Sequence, residues 1–175
     1  MKKILVMLIS AILLVGCANA QPTETKPTKK VSEKPTLVSD VDYTLKGIDG
    51  KRYKLTDFRG KKVYIKFWAS WCHVCLGGLD HFNELSKSNQ DFVVLSVVAP
   101  EVNYEANQAD FTNWFKQKKY DSRFIVLFDE GGKMLHDLGV NAYPTSIFVN
   151  ANQEIVRFFP GDLNNETIIK YVKMI

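Results

Sequence analysis

Two cysteines three positions apart, Cys72 and Cys75, lie between a strand-like and a helix-like segment. Residues 62–68 are rich in β-branched and aromatic residues, which predicts a strand whose apolar face carries Val63, Ile65 and Phe67. The residues after Cys72 repeat apolar side chains every three or four positions, which predicts a helix ending near residue 89. Unpaired N–H groups at a helix start favour an anion, and the thiolate is the nucleophilic form of cysteine. The pattern therefore predicts a reactive dithiol at a strand–helix junction.

Other uses of a C-x-x-C pair fit the chain less well. The chain has three cysteines and three histidines, and neither type supplies a second close pair to complete a zinc site. A c-type haem site needs His directly after the second cysteine, where this chain has Leu76. The spacing therefore favours a redox dithiol, which needs no cofactor or metal ion because the two sulfurs carry the two electrons.

The N-terminus has the shape of a secretory signal. Lys2 and Lys3 precede the apolar run 4–15, which is too short for a comfortable membrane span. The run ends in Leu-Val-Gly-Cys17, which resembles the lipobox of bacterial lipoprotein precursors. That resemblance implies cleavage after residue 16 and lipidation of Cys17; the alternative is an ordinary secretory signal with a chance cysteine. In both cases we expect the folded part to work outside the cytoplasm, and with the lipid it is anchored to the bacterial cell membrane.

The composition predicts one folded domain behind a tether. Residues 17–37 are mostly polar or proline, which indicates a flexible segment, and residues 38–175 are long enough for one core. The chain is 46% hydrophobic, and its net charge of +4 is too small to indicate nucleic-acid binding. We expect a monomer that meets the membrane only through its lipid.

Further segments complete an α/β pattern. They predict a buried strand at 92–98, an amphipathic crossover helix at 105–119, a strand at 125–128, a turn at 129–133 and a closing helix from residue 164. In the crossover helix, the three aromatic residues are expected in the core: Phe111, Trp114 and Phe115.

The segment 67–75, Phe-Trp-Ala-Ser-Trp-Cys-His-Val-Cys, resembles the active-site segment of extracytoplasmic thioredoxin-like proteins of the TlpA/ResA type. The stretch 43–55 alternates around an Asp-Gly turn signal and is similar to the hairpin that this branch adds. The stretch 143–149 resembles its cis-proline strand. The resemblance covers 38–175 and implies a thioredoxin fold, a central mixed sheet flanked by helices with an added N-terminal β-hairpin. It also implies an enzyme, a thiol-disulfide oxidoreductase.

The predicted site divides the work between the two cysteines. Cys72, at the helix start and nearer to solvent, is expected to attack, and Cys75, one turn further on, to resolve the mixed disulfide. Trp71 is expected to modulate the pair. The resemblance implies that Pro144 is cis and that Tyr143 offers backbone hydrogen bonds to a partner peptide; the alternative is a plain turn proline.

Lys66 and His73 each keep two interpretations. Thioredoxins carry a buried Asp at the position of Lys66. In the first interpretation, a desolvated Lys66 ammonium favours a thiolate at Cys75 and then releases a proton. The alternative, which we favour from the sequence, is a buried aliphatic stem with the ammonium group in water. His73 either stabilises the Cys72 thiolate as a cation or is exposed with little influence. Gly77 and Gly78 replace charged residues of the family, including an acid that takes protons near the pair.

Three functions remain open from the sequence. Residues 75–76, 97–100 and 110–115 resemble thioredoxin-like modules that reduce secreted methionine sulfoxide reductases. The favoured function is therefore a dithiol reductase for such an enzyme, itself re-reduced by a CcdA-type membrane protein. The alternatives are a dithiol oxidase that forms disulfides in secreted proteins and, more distantly, a copper carrier that uses both cysteines and His73.

Overall fold

The structure, a computed structural model, describes residues 43–88 and 90–175. The signal segment and tether predicted for residues 1–37, including Cys17, lie outside the described residues, and so does residue 38, the predicted start of the domain. Within the described part of the chain, no helix combines the length and apolarity that crossing a membrane requires.

One mixed sheet organises the described residues. Its strands in chain order are β1 (Thr44–Gly47), β2 (Arg52–Lys54), β3 (Val63–Phe67), β4 (Val93–Val98), β5 (Val126–Phe128), β6 (Thr145–Val149) and β7 (Ile155–Pro160). Their spatial order is β2–β1–β5–β4–β3–β6–β7. The pairs β3–β4 and β4–β5 are parallel, and the other pairs are antiparallel. The predicted mixed sheet is confirmed.

Five α-helices occur in the described residues, namely α1 (His73–Gly77), α2 (Leu79–Lys87), α3 (Gln108–Lys116), α4 (Lys133–Asp137) and α5 (Asn165–Lys173). Short 3₁₀ turns lie at Leu55–Phe58 and Glu130–Gly132. Apolar side chains of α2, α3 and α5 pack in one cluster, and those of α4 pack in another. The helices therefore flank the sheet, as predicted.

The N-terminal hairpin forms where its turn signal predicts it. Gly50 has a φ of 83°, a left-handed conformation that glycine adopts at little cost. Its N–H donates to the Gly47 carbonyl at 2.9 Å, and the Gly47 N–H donates to the Lys51 carbonyl at 2.7 Å. β1 continues the sheet by pairing antiparallel with β5.

β3 is the central support of the site because all five of its residues are buried. Val63, Ile65 and Phe67 pack in one cluster, which confirms the predicted face. On the other face, Tyr64 packs with the aromatic cluster of the helices, and so does Trp68, directly after the strand. Three side chains of α3 surround the Trp68 ring, with centroid distances of 5.6–6.3 Å: Phe111, Trp114 and Phe115.

Two predicted segments differ from the structure. The crossover helix begins at Gln108 rather than near residue 105, because the Asn107 side chain accepts the Asp110 N–H and caps the helix there. The segment after residue 128 is more than a turn, because it continues into α4. The buried Asp129 carboxylate accepts the N–H groups of Met134 and Leu135, and its burial raises the pKa of Asp129.

Candidate active site

The two cysteines form a disulfide where the strand β3 gives way to helix. Their Cα atoms are 5.2 Å apart, and Cys72 is the N-cap of α1. The Cys75 N–H points at the Cys72 Sγ atom at 3.2 Å, a contact that would stabilise negative charge on that sulfur. Cys72 is 6% exposed and Cys75 is 0% exposed, so accessibility follows the predicted order. The attacking and resolving roles stay predictions.

An aromatic pair lies beside the disulfide. Trp71 is 47% exposed, and its ring meets that of the half-buried Tyr143 edge to face, with centroids 5.9 Å apart. The peptide bond between Tyr143 and Pro144 is cis, as the motif predicts. The Pro144 carbonyl accepts the Gly161 N–H at 2.7 Å. Burial raises the pKa of the Tyr143 hydroxyl.

His73 lies on the solvent side of the disulfide. The residue is exposed, as is the neighbouring Val74. No hydrogen bond or ion pair joins the His73 side chain to another of the described residues. Its influence on Cys72 stays a prediction.

The interpretation of Lys66 as a buried stem with its ammonium group in water is wrong, because the ammonium group is buried as well. Its side chain is 3% exposed, and Nζ lies 2.6 Å from Oδ1 of Asp162. Asp162 follows β7, and its side chain is 31% exposed. A buried ammonium needs such a partner, since an unpaired charge in the interior is costly. Sequence reasoning missed Asp162, because nothing in its neighbours indicates the contact across 96 positions.

The Lys66–Asp162 pair lies against the backbone at Gly78. A Cβ atom at Gly78 would come 2.6 Å from Asp162 Oδ2 and 3.0 Å from Lys66 Nζ. The Gly78 N–H donates to the Cys75 carbonyl, so the pair lies about one turn from the resolving position. The Asp162 carboxylate, from the loop between β7 and α5, therefore lies against residue 78, where the family often has a charged side chain.

Other polar groups of β3 and its neighbours continue this buried layer. Ser96 and Ser146 are the register partners of Lys66 on the two flanking strands. Ser146 Oγ shares a hydrogen bond of 2.9 Å with the Tyr64 hydroxyl, and burial raises the pKa of Tyr64. The Ser96 hydroxyl has no partner among the described residues.

A second buried charge, Glu105, holds the chain in front of the disulfide. Its carboxylate accepts the Ser70 N–H, the Ser70 hydroxyl and the Ala106 N–H at 2.5–2.7 Å. Glu105 is 6% exposed. Sequence reasoning placed Glu105 in a helix and missed this role. Because Ser70 lies two residues before Cys72, the carboxylate holds in place the backbone segment that leads into the redox pair.

Comparison with known proteins places the chain in a family. A family model described as Redoxin matches residues 26–175. The chain belongs to the Redoxin family. It is 35% identical over 128 residues to an uncharacterised protein of Haemophilus influenzae, across 73% of this chain and 81% of that protein.

Two further relatives of this Redoxin protein carry informative names. The thiol-disulfide oxidoreductase ResA of Bacillus thuringiensis is 27% identical over 176 residues, across 100% of this chain and 99% of that one. The crystal structure of the pneumococcal exposed lipoprotein thioredoxin Etrx1 from Streptococcus pneumoniae superposes with a TM-score of 0.74 and 43% identity. It covers 77% of this chain and 100% of that chain. The thioredoxin fold is confirmed.

The family and the geometry together define the activity. This Redoxin protein is an enzyme, a thiol-disulfide oxidoreductase, with Cys72 and Cys75 as its redox pair. Its partners are therefore disulfide-bearing proteins. In residues 43–88 and 90–175, no group of three His, Cys, Asp or Glu side chains is arranged to hold a metal ion.

Proposed function

We propose that the protein is a membrane-anchored, extracytoplasmic dithiol reductase that passes two electrons to the disulfide of a secreted methionine sulfoxide reductase. The observation that carries the proposal is the asymmetry of the pair. Cys72 follows the half-exposed Trp71 and is itself 6% exposed, whereas Cys75 is 0% exposed. One sulfur can meet a client and the other can only complete the exchange.

In the proposed reaction, the Cys72 thiolate attacks one sulfur of the client disulfide. A mixed disulfide forms, the client S–S bond breaks, and one client sulfur leaves as a thiolate. Cys75 then loses its proton and attacks Cys72 Sγ, which forms the intramolecular disulfide and releases the second client sulfur. Two electrons pass to the client, and its two sulfurs take up protons. A second dithiol, from a CcdA-type membrane protein, reverses these steps and restores the reduced form.

The ion pair gives the Cys75 proton a route to water. Cys75 is 0% exposed, so its proton must leave through the protein. Lys66 and Asp162 lie about one turn away, against Gly78, and the Asp162 side chain is 31% exposed. In this proposal, the Lys66 ammonium favours the transient thiolate, and the Asp162 carboxylate accepts the proton and returns it to solvent.

The proposed location rests on the lipobox and on one relative. The four residues that end at Cys17 resemble a lipoprotein cleavage site. The pneumococcal protein that is 43% identical is named as an exposed lipoprotein thioredoxin. A lipid at Cys17 followed by the tether would hold the domain near the membrane electron donor and raise its effective concentration there.

The proposed client rests on the resemblance to modules that reduce methionine sulfoxide reductases. Of the segments that carry it, residues 97–100 are buried and the aromatic residues of α3 pack behind Trp68. These segments therefore support the redox pair from the interior. Leu76, directly after Cys75, is half-buried and lies nearer to a client.

The client test mixes the reduced protein with an oxidised methionine sulfoxide reductase and follows thiols and disulfides on both proteins. We expect one disulfide to form here for each one lost there. Cys75→Ser should trap a mixed disulfide on Cys72, and Cys72→Ser should lower transfer to the background rate. Equally fast transfer to unrelated disulfides would indicate a general reductase. No transfer, with rapid oxidation of a reduced unfolded protein, would indicate the oxidase instead.

The anchor test compares the wild type with Cys17→Ala in cells of a lipoprotein-processing bacterium. The wild type should fractionate with membranes and incorporate labelled fatty acid, whereas the variant should do neither. Disulfide reduction by the purified domain should be the same for both, because the redox pair is untouched. A variant that stays in the membrane fraction would contradict the lipid anchor.

A further inference from the structure

A cavity lies beside the disulfide and takes no part in the chemistry described above. Its volume is about 380 Å³, within the range of cavities that hold ligand groups. Six side chains form its apolar wall: Trp71, Tyr104, Leu135, Val140, Ala142 and Tyr143. Two of these residues adjoin the active site in sequence, because Trp71 precedes Cys72 and Tyr143 precedes the cis proline.

The lining predicts the charge of an occupant. Its polar members are Asn103, Asn141 and His136, and no Lys, Arg, Asp or Glu of the described residues lines it. A charged group placed there would lose water without gaining a counter-ion, whereas an apolar group would bury surface against aromatic and aliphatic walls. The cavity therefore favours an uncharged apolar side chain.

The loop that forms one rim of the cavity has an unusual backbone. Glu101, Asn103 and Tyr104 have φ values of 61°, 51° and 66°, a left-handed conformation that non-glycine residues rarely adopt. Such conformations persist only where surrounding contacts hold them, and they concentrate at functional sites. Here the hold is Glu105, whose buried carboxylate ties the end of the loop to Ser70.

This backbone displays one aromatic side chain that the fold does not use. Tyr104 is 97% exposed, although it lines the cavity rim. Trp71, on the same rim, is 47% exposed. Tyrosine and tryptophan at a protein surface are typical of binding anchors, because they bury a large area at a small cost in side-chain entropy. The loop thus holds an aromatic group in place, and the described part of the chain leaves it uncovered.

The geometry points to a specificity pocket in which Tyr104 and Trp71 clamp an uncharged apolar side chain of the client, close in sequence to the client cysteine that Cys72 attacks. This inference rests on the proposed reductase function and adds the chemistry of the client segment. A client sulfur must come within bonding distance of Cys72, which places the residues next to it close to Trp71, a member of the cavity lining. Apolar contact there would hold the mixed disulfide while Cys75 attacks.

The experiment uses two short synthetic peptides, each closed by one internal disulfide, that differ only in the residue before the first cysteine. One carries Phe and the other carries Asp. The reduced wild type should reduce the Phe peptide about tenfold faster. Tyr104→Ala should remove most of that preference by slowing the Phe peptide, while the Asp peptide and glutathione disulfide react at wild-type rates. Tyr104→Phe should keep the preference, because it keeps the ring.

Phe158→Ala is the matched control, since Phe158 is also a partly exposed aromatic residue but does not line the cavity. It should leave the preference unchanged. No preference in the wild type, or equal slowing of both peptides by Tyr104→Ala, would overturn the pocket. A Tyr104→Ala variant that sediments differently from the wild type but keeps the preference would also overturn the pocket. That result would assign the cavity to contact with a second copy of the chain.

The same assay separates this inference from the reductase proposal. If the reduced protein fails to reduce glutathione disulfide and both peptides, the proposed direction of transfer is wrong. Because thiol-disulfide exchange is reversible, the preference is then measured with the oxidised protein and the reduced peptides. A Phe preference that depends on Tyr104 in that direction supports the pocket, and its absence overturns it.

Discussion

Two buried charges flank the disulfide, and the protein satisfies them in different ways. Behind Cys75, the Lys66 ammonium is matched by a carboxylate whose other side reaches water. In front of Cys72, the Glu105 carboxylate forms no ion pair within residues 43–88 and 90–175 and is held by two backbone N–H groups and a hydroxyl. The first arrangement depends on one partner from a distant loop, and the second is spread over several local donors.

The difference determines how each region should respond to change. An ion pair in the interior fails as a unit, because removing one member leaves the other buried and uncompensated. A carboxylate held by neutral donors loses its contacts one at a time, and each lost contact costs less. The region behind Cys75 should therefore be the more sensitive of the two.

The strongest test of this comparison is Asp162→Ala. It leaves the Lys66 ammonium buried without a counter-charge, and we expect a loss of about 3 kcal/mol in the free energy of unfolding. Lys66→Met should cost less, because the remaining Asp162 carboxylate can turn to water. Denaturant unfolding of the oxidised proteins measures both values. Equal losses in the two variants would show that the pair does not act as described.

Glu105→Gln tests the other region. The Gln side chain has the same size, but its NH₂ group cannot accept the Ser70 N–H or hydroxyl, so a donor loses its partner. We expect a loss of about 2 kcal/mol in the free energy of unfolding. Glu101→Gln, an exposed change in the same loop, is the control and should have almost no effect. A Glu105 variant as stable as that control would refute the anchoring role.

Two adjacent glycines sharpen the comparison further. A Cβ atom at Gly77 would meet no other described segment of the chain within 4 Å, so Gly77→Ala should stabilise the helix by about 0.5 kcal/mol. Gly78→Ala would press into the Asp162 carboxylate, and we expect it to destabilise the protein by about 1 kcal/mol. In an Asp162→Ala background, the cost of Gly78→Ala should disappear. A cost that persists there would assign Gly78 to another cause.

The exposed ion pair between Arg123 and Asp121 is a reference for the two buried charges, and we expect it to have the smallest effect on the free energy of unfolding. Hydrogen bonds from Arg123 lower the pKa of Asp121 to about 2, from an ordinary value near 3.8. The stability from this contact is therefore present above about pH 4 and is lost as the pH falls through 2. Arg123→Ala should remove that part of the acid dependence. The wild-type and variant curves of unfolding free energy against pH should run parallel from pH 5 to 7 and converge below pH 4.

The sequence predicted the parts of the molecule that depend on neighbours along the chain. The β3 face, the Asp-Gly hairpin and the C-x-x-C junction each carry their signal within a few residues. In each case the residue pattern and the structural period coincide, so the structure confirms the prediction. The cis bond before Pro144 was instead implied by the family resemblance of residues 143–149, and the structure contains it.

The parts that were missed depend on contacts between distant segments. Asp162 meets Lys66 across 96 positions and Glu105 meets Ser70 across 35, and no local pattern marks either contact. The start of α3 predicted near residue 105 was wrong, because the Asn107 side chain caps the helix and the first helical residue is Gln108. Helix α4 was missed because the residues before it, Asp-Glu-Gly-Gly at 129–132, have the composition of a turn.

The N-terminal hairpin also changes what the sheet presents to other protein molecules. β5 is a strand of three buried residues, and β1 covers its outer side through Gly47 and Leu127. Without that cover, β5 would offer unpaired N–H and carbonyl groups between apolar side chains, which is a template for intermolecular pairing. With the hairpin, the edge strand of the sheet is β2, which has three residues and exposes Arg52 and Lys54. Short edge strands with positively charged side chains resist such pairing, so the hairpin protects the protein against aggregation.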